Sequence, residues 1–473
     1  MLEGTSLRAE PGRRSSEVLF DSFDRRLAHA GLELRRAAGE PAPAFVWDLP
    51  FALARRFADV LEARALRPIG EHALESSCWA VLDDQHKVVA RVVEELHELR
   101  PSGADAPSRI RRIVLEGVRG YDAELARLAG LLAPVPGLAP VSDASFDAYA
   151  RLGPLPRRRG RWPTLAPDVQ AFEALAAIAR AQLSVLRANG AGLLADEDAE
   201  FLHDVRVAMR RLRSLISQLD GVLLAHEQEH LREELRWLAT CTGPARDLDT
   251  LLFELRLTEP GLRQDLEPVL AAFADERERI QTRLRADYGS ERARALRARL
   301  RRVFSGLGDP SCAGPKAAEA FTALLGRRLR RRFRQVLAQA GRLAPHSPAA
   351  ELHELRISCK KLRYLLECCR GLVPKEDLAA SFAHLKGLQA ALGTIQDAEV
   401  HLHLLHELLL GAAERGGPHA HVALGQFLER TAQRGRLARE RYGGLSRSFL
   451  GQASRAQLEG VLHALERSPA DER

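Results

Sequence analysis

The feature that most constrains this chain is an internal repeat. Residues 201–219 (FLHDVRVAMRRLRSLISQL) align with residues 351–369 (ELHELRISCKKLRYLLECC) at an offset of 150. The next block repeats at the same offset, 235–252 (LRWLATCTGPARDLDTLL) against 385–402 (LKGLQAALGTIQDAEVHL), pairing Gly243 with Gly393 and Asp247 with Asp397. Two blocks at one constant spacing imply a duplicated unit. The periodicity within them is helical: Leu202, Val205, Met209, Leu212, Ile216 and Leu219 mark the core-facing stripe of an α-helix. Duplicated helical hairpins bury such stripes by stacking, so the sequence predicts bundles related by a pseudo-twofold axis.

A second stripe runs beside the first. His203, Arg206, Arg210 and Arg213 keep the same spacing one residue on, about 100° round the helix. In the second copy Leu352, Leu355, Cys359, Leu362 and Leu366 form the apolar stripe, and His353, Arg356, Lys360 and Arg363 the basic one. Such a row is ordinarily a solvated rim whose aliphatic stems cover the core. Here four cations occupy successive turns with no acid within the row, so they repel one another. The same unfavourable arrangement occurs twice. A twofold axis directs both rows towards one groove, a site suited to a polyanion. Arg211 and Lys361 are adjacent and extend the same surface.

Composition agrees with a helical, anion-seeking protein. The chain has 473 residues, a net charge of +7, 46% hydrophobic residues and only 5% aromatic residues. Of 70 Lys+Arg only six are lysine (Lys87, Lys316, Lys360, Lys361, Lys375 and Lys386). Arginine presents a planar fork of donors that matches phosphate oxygens. Residues 1–165 are almost neutral, so the surplus lies beyond them. Helical periods are predicted at roughly 168–189, 197–225, 227–243, 245–255, 263–306, 316–342, 348–371, 376–394, 396–414 and 420–443. Earlier residues are mixed, with β-like runs at 77–82 and 87–93 and helix-like stretches at 51–66 and 121–132. The expected division is an α+β domain at 1–152, a Pro/Arg-rich linker at 153–167 and a helical domain at 168–473, with repeat halves at 168–310 and 316–470.

Several classes are excluded. No apolar run is long enough for a membrane span, and the first residues lack the apolar core of a secretory signal. The six cysteines (Cys78, Cys241, Cys312, Cys359, Cys368 and Cys369) show no C-x-x-C spacing, so free thiols in a reducing compartment are expected. No Walker loop, dinucleotide fingerprint or nucleophile elbow is present. Neither motif histidine has a second ligand at i+3 or i+4, so no zinc site is expected. His401, His403, His406, His419 and His421 read as incidental surface. Arginine clusters at 327–334, 294–302 and 157–161 read as solvated faces, the first dense enough to extend an anion surface. Asp247 and Asp397 are expected to pair with these arginines or to cap helices.

The motif H-x-x-R-V-x-x-[RK]-[RK]-L-R or a near variant, present twice and followed each time by a helix bearing G-x-x-x-D, resembles the CHAD family. The resemblance spans roughly 168–460; the first copy departs at Cys241-Thr242-Gly243, where the second has Ala391-Leu392-Gly393. It implies a mainly α fold of two four-helix bundles with a basic channel between them. The implied ligand is inorganic polyphosphate, bound by His203, Arg206, Arg210, Arg211, Arg213, His353, Arg356, Lys360, Lys361 and Arg363. The residue chemistry agrees, because polyphosphate needs a row of cations and offers no bases to stack on.

The first domain resembles a CYTH domain, a triphosphate-tunnel fold, over 17–132. Residues 20–35 (FDSFDRRLAHAGLELR), 81–91 (VLDDQHKVVAR) and 115–125 (LEGVRGYDAEL) carry the likeness. The departures are in the catalytic parts. No E-x-E-x-K strand precedes Phe20, Ala37 stands where a second phosphate-binding arginine belongs beside Arg35, and a later carboxylate pair is reduced to Val114 and Glu116. Two-metal phosphoryl chemistry needs several convergent carboxylates. The expectation is therefore a non-catalytic polyphosphate-binding protein with no metal or cofactor, located in the cytoplasm and associated with polyphosphate granules. Two alternatives remain: a metal-dependent triphosphate or polyphosphate hydrolase acting through the first domain, and a nucleic-acid-binding or scaffold protein.

Overall fold

The structure is a computed structural model. It describes residues 5–22, 24–40, 43, 46–61, 64–102, 104–139 and 162–467, and the side chains of all of these except 47 and 407–416. The expected linker at 153–167 and the arginines at 157–161 lie largely or wholly outside the described residues. The chain divides into two compact units, Met1–Pro156 and Arg157–Arg473.

The first unit is built on a six-stranded antiparallel sheet. Its strands are β1 (Ser6–Glu10), β2 (Arg14–Asp21), β3 (Leu34–Ala37), β4 (Arg67–Leu82), β5 (Val88–Pro101) and β6 (Ser108–Gly117), with helices α1 (Arg26–His29), α2 (Phe51–Leu61) and α3 (Asp122–Leu132). The order is β3-β2-β4-β5-β6. The long strand β4 pairs with β5 along one edge; its other edge is shared by β2 over its first part and β1 over its second. Both long strands extend well beyond the β-like runs at 77–82 and 87–93. Leu128 of α3 packs with Val81, Val89 and Ala90, all buried, so the helix covers one end of the sheet.

The second unit is helical. Its first half contains α4 (Ala171–Ala195), α5 (Ala199–Gln218), α6 (Ala225–Cys241), α7 (Gly243–Arg256), α8 (Pro260–Asp265), α9 (Glu267–Gly289) and α10 (Glu291–Val303). Its second half contains α11 (Phe321–Arg342), α12 (Ala349–Cys368), α13 (Lys375–Leu450) and α14 (Gln452–Glu466). The periods predicted separately at 376–394, 396–414 and 420–443 thus join into one element. That element is broken at Gly417, whose φ of 66° is left-handed, and Pro418 restarts the helix. Pro418 lies 150 residues after Pro268 near the start of α9, so α13 carries the second copies of α6, α7 and α9. The predicted helix at 263–306 is instead interrupted at Ser290, whose side chain accepts a hydrogen bond from the Ala293 amide and caps α10. Each half therefore has four long helical stretches and a shorter closing helix.

The two-fold relation is visible in the backbone. Gln170 and Ala320, 150 residues apart, form an antiparallel bridge. The Ala171 amide donates to Glu319 O and the Phe321 amide to Val169 O, each at 2.9 Å, a reciprocal pair related by the same offset. The halves also share a core. Leu251, Leu255 and Phe273 of the first pack with Leu405, Leu424 and Phe427 of the second. Burying this many large side chains at about 1.5–3 kcal/mol each holds the halves as one body.

Candidate functional site

The two motif helices meet. The apolar stripes predicted from the repeat are buried: Leu202, Val205, Met209 and Leu212 on α5, and Leu352, Leu355, Cys359 and Leu362 on α12, are each at most 5% exposed. Turning those stripes inward leaves the basic rows half-buried beside them. The helices then touch through the next positions. Arg210 Nε donates to the Tyr364 hydroxyl at 3.4 Å, Arg211 Nε to Glu367 Oε2 at 2.9 Å, and Gln218 Nε2 to the Lys361 carbonyl at 3.1 Å.

The cations converge electrostatically. Burial lowers the Arg206 guanidinium to about 10, and Arg210, Arg246 and Arg213 push it the same way against Asp247. Arg206 Nη1 donates to the Ala239 carbonyl at 3.0 Å and the Thr242 hydroxyl at 3.1 Å. Arg356 is lowered by burial and by Arg210 of the other copy, with Asp397 opposing. Lys360 is lowered to about 7, first by burial and then by Arg356 and Arg210. Arg213 is lowered by burial, Arg236 and Arg210. Thus Arg206, Arg210 and Arg213 of α5 and Arg356, Lys360 and Arg363 of α12 act on one another within one cluster. A group depressed in this way lacks full compensation for its lost hydration, and an anion would supply it.

The acids are sparse and specifically placed. Asp397 Oδ1 lies 3.6 Å from Arg356 Nη2 and is 59% exposed. Asp247 is raised by burial and by Asp397, and lowered by Arg206. Both aspartates therefore belong to this cluster rather than to the arginine runs at 294–302 or 327–334. His353 Nδ1 is hydrogen-bonded to Gln396 Oε1. His203 is half-buried on the same face of α5.

Arg211 and Lys361 diverge. Arg211 is taken up by the buried carboxylate of Glu367, which also lies 3.6 Å from Arg363 Nε. The position equivalent to Glu367 in the first copy is Ser217, so Lys361 meets no matching acid there. Lys361 is lowered by burial and Arg332, with Glu354 opposing and Arg213 and Arg232 adding to the depression. Arg232 and Arg236 of α6 therefore add to the positive field. They were not singled out from the sequence, although their i, i+4 spacing is a basic row of its own.

Other clusters are absorbed only in part. In 327–334, Arg327 pairs with Glu319, Arg330 with Glu466 at 2.9 Å, and Arg328 donates to the Asp220 carbonyl at 2.8 Å. In the neighbourhood of 294–302, Arg299 pairs with Glu227 at 2.6 Å. His401 is not on the surface: it is 2% exposed and bonds Glu254 at 3.1 Å, a carboxylate shared with Arg434. His403, His406, His419 and His421 are exposed. Among the described residues no group of three or more His, Cys, Asp or Glu side chains could hold a metal ion. None of the cysteines is in a disulfide, and among the described residues no helix is long and apolar enough to cross a membrane.

The sheet unit carries a polar feature with no signal in the sequence. His72 Nε2 and His97 Nδ1 are 3.0 Å apart with rings stacked at 5.2 Å, and both side chains are buried. His97 Nε2 lies 3.1 Å from Glu95 Oε2, which also accepts from Arg112 Nε at 3.0 Å. Arg35 of β3 pairs with Glu33 and Glu17. Glu10 at the end of β1 is held by Arg91 at 2.8 Å.

The fold and the cluster define a duplicated helical domain whose two basic motif helices face each other. Comparison points to a family: residues 177–406 match the family model described as the CHAD domain. The match lies wholly in the helical unit. A crystal structure of the CHAD domain from the plant Ricinus communis is similar at 26% identity and a TM-score of 0.50, covering 64% of this chain and 96% of that one. PptA from Streptomyces chartreusis is similar at 21% identity and a TM-score of 0.45, covering 59% of this chain and 99% of that one. No curated protein matches the chain.

Proposed function

We propose that the helical unit binds inorganic polyphosphate, without catalysis, in a basic groove between its two duplicated halves. The observation that carries this reading is the convergence of Arg206, Arg210 and Arg213 with Arg356, Lys360 and Arg363, several depressed by burial and by one another. His203, His353 and Lys361 extend the row, and Arg211 positions α5 against α12 through Glu367. Binding a polyanion returns the counter-charge that the half-buried cations lack, so it is favourable where packing alone is not.

Nucleic acid is the less suited polyanion. Single-stranded binding uses exposed aromatic faces for stacking. The aromatic ring at this cluster, Tyr364, is 3% exposed and carries the Arg363 guanidinium 5.3 Å from its centroid. The sheet unit is read as a degenerate CYTH-like module that supports rather than catalyses. Its Glu10 and Glu95 are engaged by arginine or histidine rather than gathered for metal. The proposed setting is the cytoplasm, on polyphosphate granules. The test is competition. Labelled long-chain polyphosphate bound to the full chain should be displaced by unlabelled polyphosphate and poorly by RNA at equal charge. Displacement by RNA at parity would favour the nucleic-acid reading. Metal-dependent phosphate release from tripolyphosphate, lost on Glu116→Gln, would favour a hydrolase.

A further inference from the structure

The first half of the helical unit contains a cavity of about 490 Å³ between α4 and the α9–α10 corner. Leu183, Leu186, Tyr288 and Phe304 form its apolar lining. Four arginines stand round it: Arg180 and Arg187 from α4, Arg297 and Arg301 from α10. None of the four has an ion pair among the described residues, although their neighbours on α10, Arg292 and Arg299, are paired with Glu234 and Glu227. Arg180 instead donates to the Phe304 carbonyl at 3.2 Å, and Arg301 to the Arg297 carbonyl at 3.2 Å. Arg297 donates to the Tyr288 carbonyl at 3.0 Å and stacks 4.7 Å from that ring. These bonds fix the guanidinium groups of Arg180, Arg297 and Arg301 while leaving their charge unneutralised.

The second half is an internal comparison. Leu183 corresponds to Phe333 and Arg187 to Leu337 at the 150-residue offset. Tyr288 stands two residues before the cap of α10, Ser290; Phe449 stands two residues before the cap of α14, Gly451. In that half Phe333 and Phe449 pack edge-to-face at 5.7 Å, and Arg330, equivalent to Arg180, is paired with Glu466. The duplicate thus fills this space with an aromatic ring and neutralises the arginine. The first half does neither.

We propose that this cavity is a second binding site, separate from the basic motif helices, for a small amphiphilic anion. An acyl or aryl body would occupy the apolar space, and a single carboxylate or phosphate head would sit on the arginines. The volume falls within the range of small-molecule pockets, and a mostly apolar lining with a few oriented charges is their usual chemistry. The oxyanion would accept charge-assisted bonds from planar guanidinium donors.

The test uses the full chain and isothermal titration with dodecanoate, dodecyl phosphate and, as the uncharged control, dodecanol. Binding of one or both anions at a single site, with dodecanol at least tenfold weaker, is expected; the better anion identifies the head group. Leu183→Phe, which installs the residue of the duplicate half, should abolish binding, with polyphosphate affinity unchanged. Arg187→Gln combined with Arg301→Gln alters only exposed side chains, so it tests the charge without touching the core; it should weaken the anions at least tenfold. Absence of binding by both anions, or binding that survives both variants, would overturn the proposal.

Discussion

Lys360 makes the polyphosphate reading quantitative. In the free protein burial, Arg356 and Arg210 hold it down to about 7, with Asp397 the opposing charge and Arg363 adding to the depression. Beside bound phosphates it should return towards its ordinary value of about 10.4. Between those values the complex holds a proton that the free protein lacks. At pH 8 binding should therefore take up about 0.9 proton, and from about pH 7.5 to 9.5 the Kd should weaken towards tenfold per pH unit. Below about pH 6.5 Lys360 is charged in both states and its contribution is flat. The assay is calorimetry of polyphosphate binding in buffers of different ionisation enthalpy across this range. Lys360→Arg keeps its charge throughout and should remove the steep limb. Lys360→Met should bind about tenfold more weakly than wild type at pH 6 and equal it near pH 8. The motif histidines are common to all three proteins, so whatever they contribute cancels in the comparison. A wild-type profile as flat as that of Lys360→Arg, without proton uptake at pH 8, would rule out this role for Lys360.

Further outcomes follow from the packing. Glu367→Gln leaves Arg211 and Arg363 facing a neutral group between the motif helices; urea denaturation should show a loss of about 2–3 kcal/mol, below the full cost of breaking a buried pair because Arg211 is a quarter exposed. Gly192→Ala would place a Cβ 2.2 Å from the Phe201 ring, so thermal unfolding should show at least about 1–3 kcal/mol of overpacking. His72 is lowered by burial and by His97. The unfolded chain therefore takes up a proton first as pH falls through about 6.5, and the sheet unit should lose stability from there downwards. His72→Gln should flatten that limb in pH-dependent melts.

The helical unit was legible because its signal is periodic and repeated. The stripes of α5 and α12 fix which face is buried, and their neighbours at about 100° must then flank the seam. The continuous α13 was less legible. The second copy has Leu392 before Gly393 where the first has Thr242 before Gly243, and the helix runs through. Its true break, Gly417-Pro418, lies at the copy of Pro268. Partners distant in sequence left no trace. The Arg211–Glu367 pair depends on a residue that is serine in the other copy, and Tyr364 looks like core until Arg210 is seen bonded to it. His401 resembles the exposed His403 and His406 beside it in sequence, yet it is buried against Glu254 of the other half. The stacked His72 and His97 sit on adjacent strands, joined by a register no local pattern announces.

The decisive measurement is polyphosphate affinity of the wild type against Arg206→Gln/Arg210→Gln/Arg356→Gln/Lys360→Gln, by titration at several salt concentrations. The quadruple variant should keep its helical circular dichroism, because the apolar stripes beside the replaced cations are untouched. Its affinity should fall at least about 100-fold, with a shallower salt dependence. Wild-type affinity and salt slope in a folded variant would contradict the assignment of the basic motif helices as the polyphosphate site.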